Sequence, residues 1–197
     1  MTQSSGKSNR LIATNEDTLG PYYPISLCDE DSMDLTEIRT GIHFEPVGEI
    51  IIINGCVKDI NGKLANGALL EFWQANANGL YRTPDNEAHP ELDPWFTGYA
   101  RERTLDGNFT LTTIKPGISA NRAPNITLTI FSDGIMRVVT QLFFEGEPSN
   151  EMDPLLLSIP EDMRERLMIK KSADNTYNIE IIMAGDNETP FFDDLLS

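Results

Sequence analysis

At 197 residues the chain has room for one well-buried domain and is short for two. Its 40% apolar residues, with 14 Gly and 12 Pro spread along the length, describe a globular, turn-rich protein. Thirty-one acidic against 15 basic residues give a net charge of −16, which argues against binding nucleic acid or anionic membranes, since attraction to phosphate needs a basic surface. An anionic small substrate is not argued against, because one local arginine decides that.

Residues 1–17 are polar and read as a flexible start. TLGPYYP (18–24) reads as an extended aromatic segment, because its prolines do not fit a helix. The division expected is an N-terminal arm, 1–24, and one domain, 25–197. MTQSSGKSNR lacks the apolar stretch of a leader and no run is long enough to span a bilayer, so a soluble, cytoplasmic protein is expected. Cys28 and Cys56 have no metal-like spacing and read as reduced core residues. The acidic stretch 28–41 has room for a short turn or helix.

From residue 49 the chain reads as strands. EIIIINGCVKD (49–59) is β-branched, Asn61-Gly62 predicts a hairpin turn, and GALLEFWQA (67–75) is the returning strand. NANG, TPD, HPE and DP make 76–97 a loop. A second hairpin is predicted at Asp106-Gly107 with NFTLTTI behind it, followed by strands over 125–131 and 136–144. SIPEDMRERLMIKK (158–171) predicts a helix, with Ser158 and Glu161 in capping-box register, acids in the first turn and bases in the last. TYNIEIIMAG (176–185) alternates as a final strand before an acidic tail. The sum is an all-β fold: an antiparallel β-sandwich with long loops, an extended N-terminal arm and one or two short helices.

His43 and His89 are the only histidines, and neither accompanies a nucleophile motif or a zinc-ligand spacing. Both read as ordinary loop or surface residues. Tyr81 follows a strand in a turn-rich loop near Trp73 and Arg82, where it either covers the sandwich edge or serves a site. In the strand after Pro124, Asn125, Thr127 and Thr129 alternate with Ile126, Leu128 and Ile130, so three polar side chains share a face that looks at solvent or lines a site.

GCVKDINGKLANGALLEFWQANANGLYRTPD, DPWFTGYAR, TIKPG and VVTQLFFEGEP, taken in order, resemble the intradiol ring-cleavage dioxygenases over roughly residues 10–195. The resemblance implies catechol ring opening with O2 at a non-haem Fe(III) held by two tyrosinates and two histidines, hard oxygen donors and imidazoles that suit this ion. The first tyrosine matches Tyr81. The second falls where this chain has Ser119, and the H-x-H pair falls on Asn125 and Thr127. One matching ligand of four implies that this chain holds no iron of its own and keeps a vestigial site.

Two-chain members of the family pair an iron-bearing β chain with an α chain whose site is defunct. EDTLGPYYP and GDNETPFFDD resemble the α pattern at its start and end. The chain is therefore expected to be a non-catalytic α subunit in a larger assembly of αβ pairs. Its partner would hold the Fe(III), and protocatechuate or a related catechol would be cleaved to a cis,cis-muconate. Thr18, Gly20, Pro21 and Tyr22 would help wall the partner's substrate pocket. Asp133 stands where the family α chain has an arginine near the substrate carboxylate, and it would repel that group. Arg137, four residues later, is the candidate to compensate. The alternative reading is a free-standing β-sandwich binding or scaffold module that has lost the iron chemistry.

Overall fold

Along Ile50–Lys58 the side chains alternate across the backbone, burying Ile51, Ile53 and Val57 and leaving Ile50 and Ile52 at the surface. The same period-2 logic builds most of the chain. The computed structural model describes residues 32–39, 42–132 and 136–192. Its strands are β1 (Glu37–Arg39), β2 (Ile42–His43), β3 (Ile50–Lys58), β4 (Leu69–Gln74), β5 (Tyr99–Arg103), β6 (Asn108–Ile114), β7 (Asn125–Ser132), β8 (Met136–Phe144), β9 (Met168–Ala173) and β10 (Thr176–Ile182). Two short helices, α1 (Pro154–Ser158) and α2 (Glu161–Arg164), lie between β8 and β9.

β1 and β2 form a small ribbon where the acidic stretch left a turn or helix open, and the other eight strands run in the order β5-β4-β7-β8-β9-β10-β3-β6. β8 and β9 share only two register pairs, Phe143 with Met168 and Phe144 with Ile169. There the sheet divides into two four-stranded layers. Their inner faces share one core, with Leu70, Phe72, Ile126, Leu128, Ile130 and Leu142 from one layer and Ile51, Ile53, Leu111 and Ile181 from the other. Each fully buried side chain of this kind contributes about 1.5–3 kcal/mol. The all-β sandwich is thus the fold expected, with two of its pairings, β8–β9 and β10–β3, parallel.

Two connections differ from expectation. The Asn61-Gly62 turn forms, with Gly62 N–H donating to the Asp59 carbonyl at 3.0 Å, but β4 pairs with β5 and β7 rather than with β3. At Asp106-Gly107 the chain likewise crosses back, and β6 pairs with β3 instead of β5. Both turns lead from one layer to the other: at Asn61-Gly62 the chain reverses only locally, through an antiparallel Lys58–Leu64 bridge, and the strand that follows joins the other layer. The helix predicted over 158–171 is also corrected. Ser158 ends α1, α2 lasts one turn, a 3-10 turn follows at Glu165–Leu167, and Met168 already begins β9. Met168 and Ile169 are the register partners of Phe143 and Phe144 in β8, and Lys170, Lys171 and Ala173 pair with β10, so this stretch is drawn into the sheet and not into a helix. Cys56, expected in the core, is half-buried on the outer face beside Glu180. Cys28 and the arm, 1–24, lie outside the described residues.

Candidate functional site

The loops at one end of the sandwich are locked together by buried polar groups. Gln74, at the end of β4, is buried and donates from Nε2 to the Ile114 carbonyl at 2.9 Å, while its Oε1 accepts from the Thr113 hydroxyl at 2.8 Å. Asn76 accepts at Oδ1 from the N–H groups of Asn78 and Leu80, and its carbonyl accepts from Gly117 N–H at 2.9 Å. A Cβ on Gly117 would meet the Ala77 carbonyl oxygen at 2.2 Å, and one on Gly79, at φ +77°, would meet the Ile118 carbonyl oxygen at 1.9 Å. WQANANG and KPG are therefore two halves of one backbone contact. Lys115 extends it to the third motif. It pairs with Glu147 and lies 5.6 Å from the centroid of the Phe144 ring. Burial pulls the Lys115 pKa down, but its hydrogen bond and charge pairing with Glu147 outweigh that and hold it above the ordinary value.

This framework gathers the four positions that the resemblance marks. The Tyr81 ring lies 5.8 Å from that of Trp73, and Trp73 is the register partner of Thr127. Ser119 and Arg122 exchange backbone hydrogen bonds, Ser119 N to Arg122 O at 3.2 Å and Arg122 N to Ser119 O at 2.8 Å. Thr127 lies opposite Gln141 of β8 and accepts from its Nε2 at 3.3 Å. Asn125 is buried one step along the same face, with Nδ2 donating to the Ala123 carbonyl at 2.7 Å and Oδ1 left without a partner.

Arg122 is the charge at the centre of this group. Its Nε donates to Asp153 Oδ2 at 2.9 Å and its Nη2 to Gln141 Oε1. Asp153 is fully buried; the same Oδ2 accepts from Ala123 N–H at 2.8 Å, and Oδ1 caps α1 through Leu155 and Leu156 N–H. Burial pushes the Tyr81 phenol up from its ordinary pKa, a shift that the neighbouring Arg122 charge reduces without cancelling.

The donor set does not fit Fe(III). A trivalent hard cation needs anionic oxygen donors and imidazoles. The four positions offer one phenol, two aliphatic hydroxyls and one orphaned amide oxygen, beside a guanidinium, and no imidazole. His43 and His89 do not supply the lack. His43 lies in β2 against Glu37, and His89 is exposed in a loop, with Nδ1 accepting from Glu91 N–H.

Thr18, Gly20, Pro21, Tyr22 and Asp133 lie outside the described residues. Arg137 is half-buried on β8 opposite Phe131, on the same face as Gln141 but four residues away, about 13 Å along a strand. It belongs to the far end of the layer from Tyr81. Sequence reasoning missed Arg122, Gln141 and Asp153. Asp153-Pro154 before LLL carried a readable signal, an N-cap followed by proline at the first helical position. Arg122 and Gln141 had none, since their partners lie 31 and 19 residues away.

The C-terminal segment fixes the seam between the layers. Thr140 Oγ1 donates to the Pro190 carbonyl at 2.8 Å, Phe192 N–H donates to the Val139 carbonyl at 2.8 Å, and Ile182 N–H donates to Thr189 Oγ1 at 3.0 Å. ETPFF thus ties β8 to β10.

The family model described as Dioxygenase matches residues 19–184. The protocatechuate 3,4-dioxygenase alpha chain of Pseudomonas putida is 34% identical over 93% of this chain and 97% of its own length, and that of Burkholderia cepacia 32% over 93% and 98%. The Burkholderia cepacia beta chain is as similar, 34% identical over 94% of this chain and 86% of its own. Among solved structures, the dioxygenase domain of a dioxygenase and carbohydrate-binding protein fusion from Streptomyces sp. SirexAA-E superposes with a TM-score of 0.61 at 28% identity, covering 86% of this chain and 96% of that one. With the fold, the interlocked motifs and these relatives in agreement, the chain belongs to the intradiol ring-cleavage dioxygenase family.

Proposed function

We propose that this chain is the non-catalytic α subunit of a heteromeric Fe(III) intradiol dioxygenase, paired with a homologous β chain that holds the iron. The observation that carries the reading is the donor set at Tyr81, Ser119, Asn125 and Thr127, grouped around the Arg122 guanidinium. The family chemistry then belongs to the partner. A catechol is opened between its two hydroxyl-bearing carbons, both atoms of O2 enter the product, and the product is a cis,cis-muconate (3-carboxymuconate from protocatechuate). Similarity to alpha and beta chains alike supports a paired assembly.

In this reading the arm residues Thr18, Gly20, Pro21 and Tyr22 wall the partner's pocket. Glycine permits close backbone approach, proline fixes an extended path and threonine offers a hydroxyl. Asp133 opposes a substrate carboxylate, and Arg137 is the residue that would compensate for it. The test is iron content and catechol-dependent O2 uptake of the chain purified alone and after co-expression with its partner. Iron and turnover only in the co-expressed sample are expected. Stoichiometric iron and turnover from the lone chain would overturn the proposal, and so would failure of the two chains to associate.

A further inference from the structure

A second group of ligand-type side chains lies outside the β7–Tyr81 network, on the β1–β2 ribbon. We infer that Asp34, Glu37 and His43 form a binding site for a divalent transition cation of the zinc class. One donor atom from each side chain lies within 4.8 Å of the other two.

The backbone explains the convergence. Glu37 and His43 are register partners across the β1–β2 pair, so their side chains leave the ribbon on one face. Asp34 is anchored independently, by a bridge to Thr112 of β6 and by the flanking bonds Leu35 N to Thr112 O and Thr112 N to Met33 O. Its Oδ1 accepts from Thr36 N–H at 2.8 Å and from the Thr36 hydroxyl at 2.6 Å, which orients the carboxylate. None of the described hydrogen bonds uses Oδ2.

The distances suit a small cation. Tetrahedral zinc with nitrogen and oxygen ligands at about 2.0–2.1 Å places neighbouring donors about 3.3 Å apart. His43 Nε2 and Glu37 Oε1 are already 3.2 Å apart. The Asp34 carboxylate needs only to close from within 4.8 Å. Two carboxylates with one imidazole leave a fourth position for water. The imidazole selects a transition metal over magnesium or calcium, which take oxygen ligands alone. The net charge of −16 adds a field that concentrates cations at such a site.

The test is a calorimetric titration of the full chain, stripped with chelator, with Zn2+ and separately with Mg2+ at neutral pH. Saturable binding of one Zn2+ is expected, with Mg2+ weaker by about a hundredfold or more. His43→Ala and the isosteric Glu37→Gln should each weaken Zn2+ binding by at least about tenfold. His89→Ala should leave it unchanged. His43 is 59% exposed, so its removal does not threaten the fold. With Co2+ as probe, the d–d absorption should show nitrogen and oxygen ligation without a thiolate charge-transfer band. Absence of saturable Zn2+ binding would overturn the inference and leave His43–Glu37 as a plain ion pair. Binding that survives His43→Ala, or that His89→Ala removes, would overturn it as well.

Discussion

Asp153 accepts four hydrogen bonds with no exposed surface, two of them from the Arg122–Ala123 corner and two from the first turn of α1. Through it Arg122 is held against Gln141 and hence Thr127. Replacing it with alanine strips the guanidinium of that charged partner and uncaps α1 in one step. Breaking a buried pair of this kind costs about 3–5 kcal/mol, and urea unfolding of Asp153→Ala should show a loss of that size. A loss under about 1 kcal/mol would mean that Arg122 finds another carboxylate. Tyr81 makes a prediction in the alkaline range. Burial raises its pKa in the fold, so above the ordinary tyrosine value of about 10 the unfolded chain gives up a proton that the folded chain keeps. The unfolded state then binds fewer protons, and stability falls with rising pH until the folded phenol ionises. Tyr81→Phe should flatten that fall relative to the parent while changing little at neutral pH. Parallel stability curves for the two proteins would mean that Tyr81 is solvated.

At the scale of elements, the contact between the 76–81 and 115–119 loops is the part most sensitive to a single atom. Gly79→Ala places a Cβ within 1.9 Å of the Ile118 carbonyl oxygen in a backbone region that favours glycine. It should destabilise by more than about 1 kcal/mol and shift the Ser119–Arg122 corner, visible as changed amide exchange there. An unchanged melting curve would show that the loops separate at little cost. The same scale explains what the sequence could and could not disclose. β3, β7, β8 and β10 were legible because their alternation is local. The turns at Asn61-Gly62 and Asp106-Gly107 were legible as turns, but a turn signal does not say which layer receives the next strand. That choice depends on packing between residues far apart in the chain, such as Phe72 of β4 against Phe109 of β6, whose rings meet 5.2 Å apart inside the core. The 158–171 segment misled because its acids, bases and Ser158 satisfy helix rules locally, whereas Met168–Ala173 is claimed by β10 and β8. At the site, the four ligand positions were legible only through resemblance. Arg122, Gln141 and Asp153 become a group only when β7, β8 and α1 meet.

For the whole molecule, the proposed α-subunit role raises the question of what such a chain adds to an iron enzyme. If the 1–24 arm walls the partner's pocket, its removal acts on substrate and not on metal. Deleting residues 1–24 from the co-expressed assembly should leave iron content unchanged and raise KM for the catechol by at least about tenfold, the loss of roughly 1.4 kcal/mol of binding. Tyr22→Ala alone should move KM in the same direction by less. An arm that only fastens the subunits gives the opposite pattern, with KM retained and the assembly dissociating on dilution. Steady-state kinetics and sedimentation on one preparation separate the two, because pocket and fastening roles change different observables. A deletion that lowered iron content in an intact assembly would place the arm against the metal itself, and the pocket role would then have to be given up.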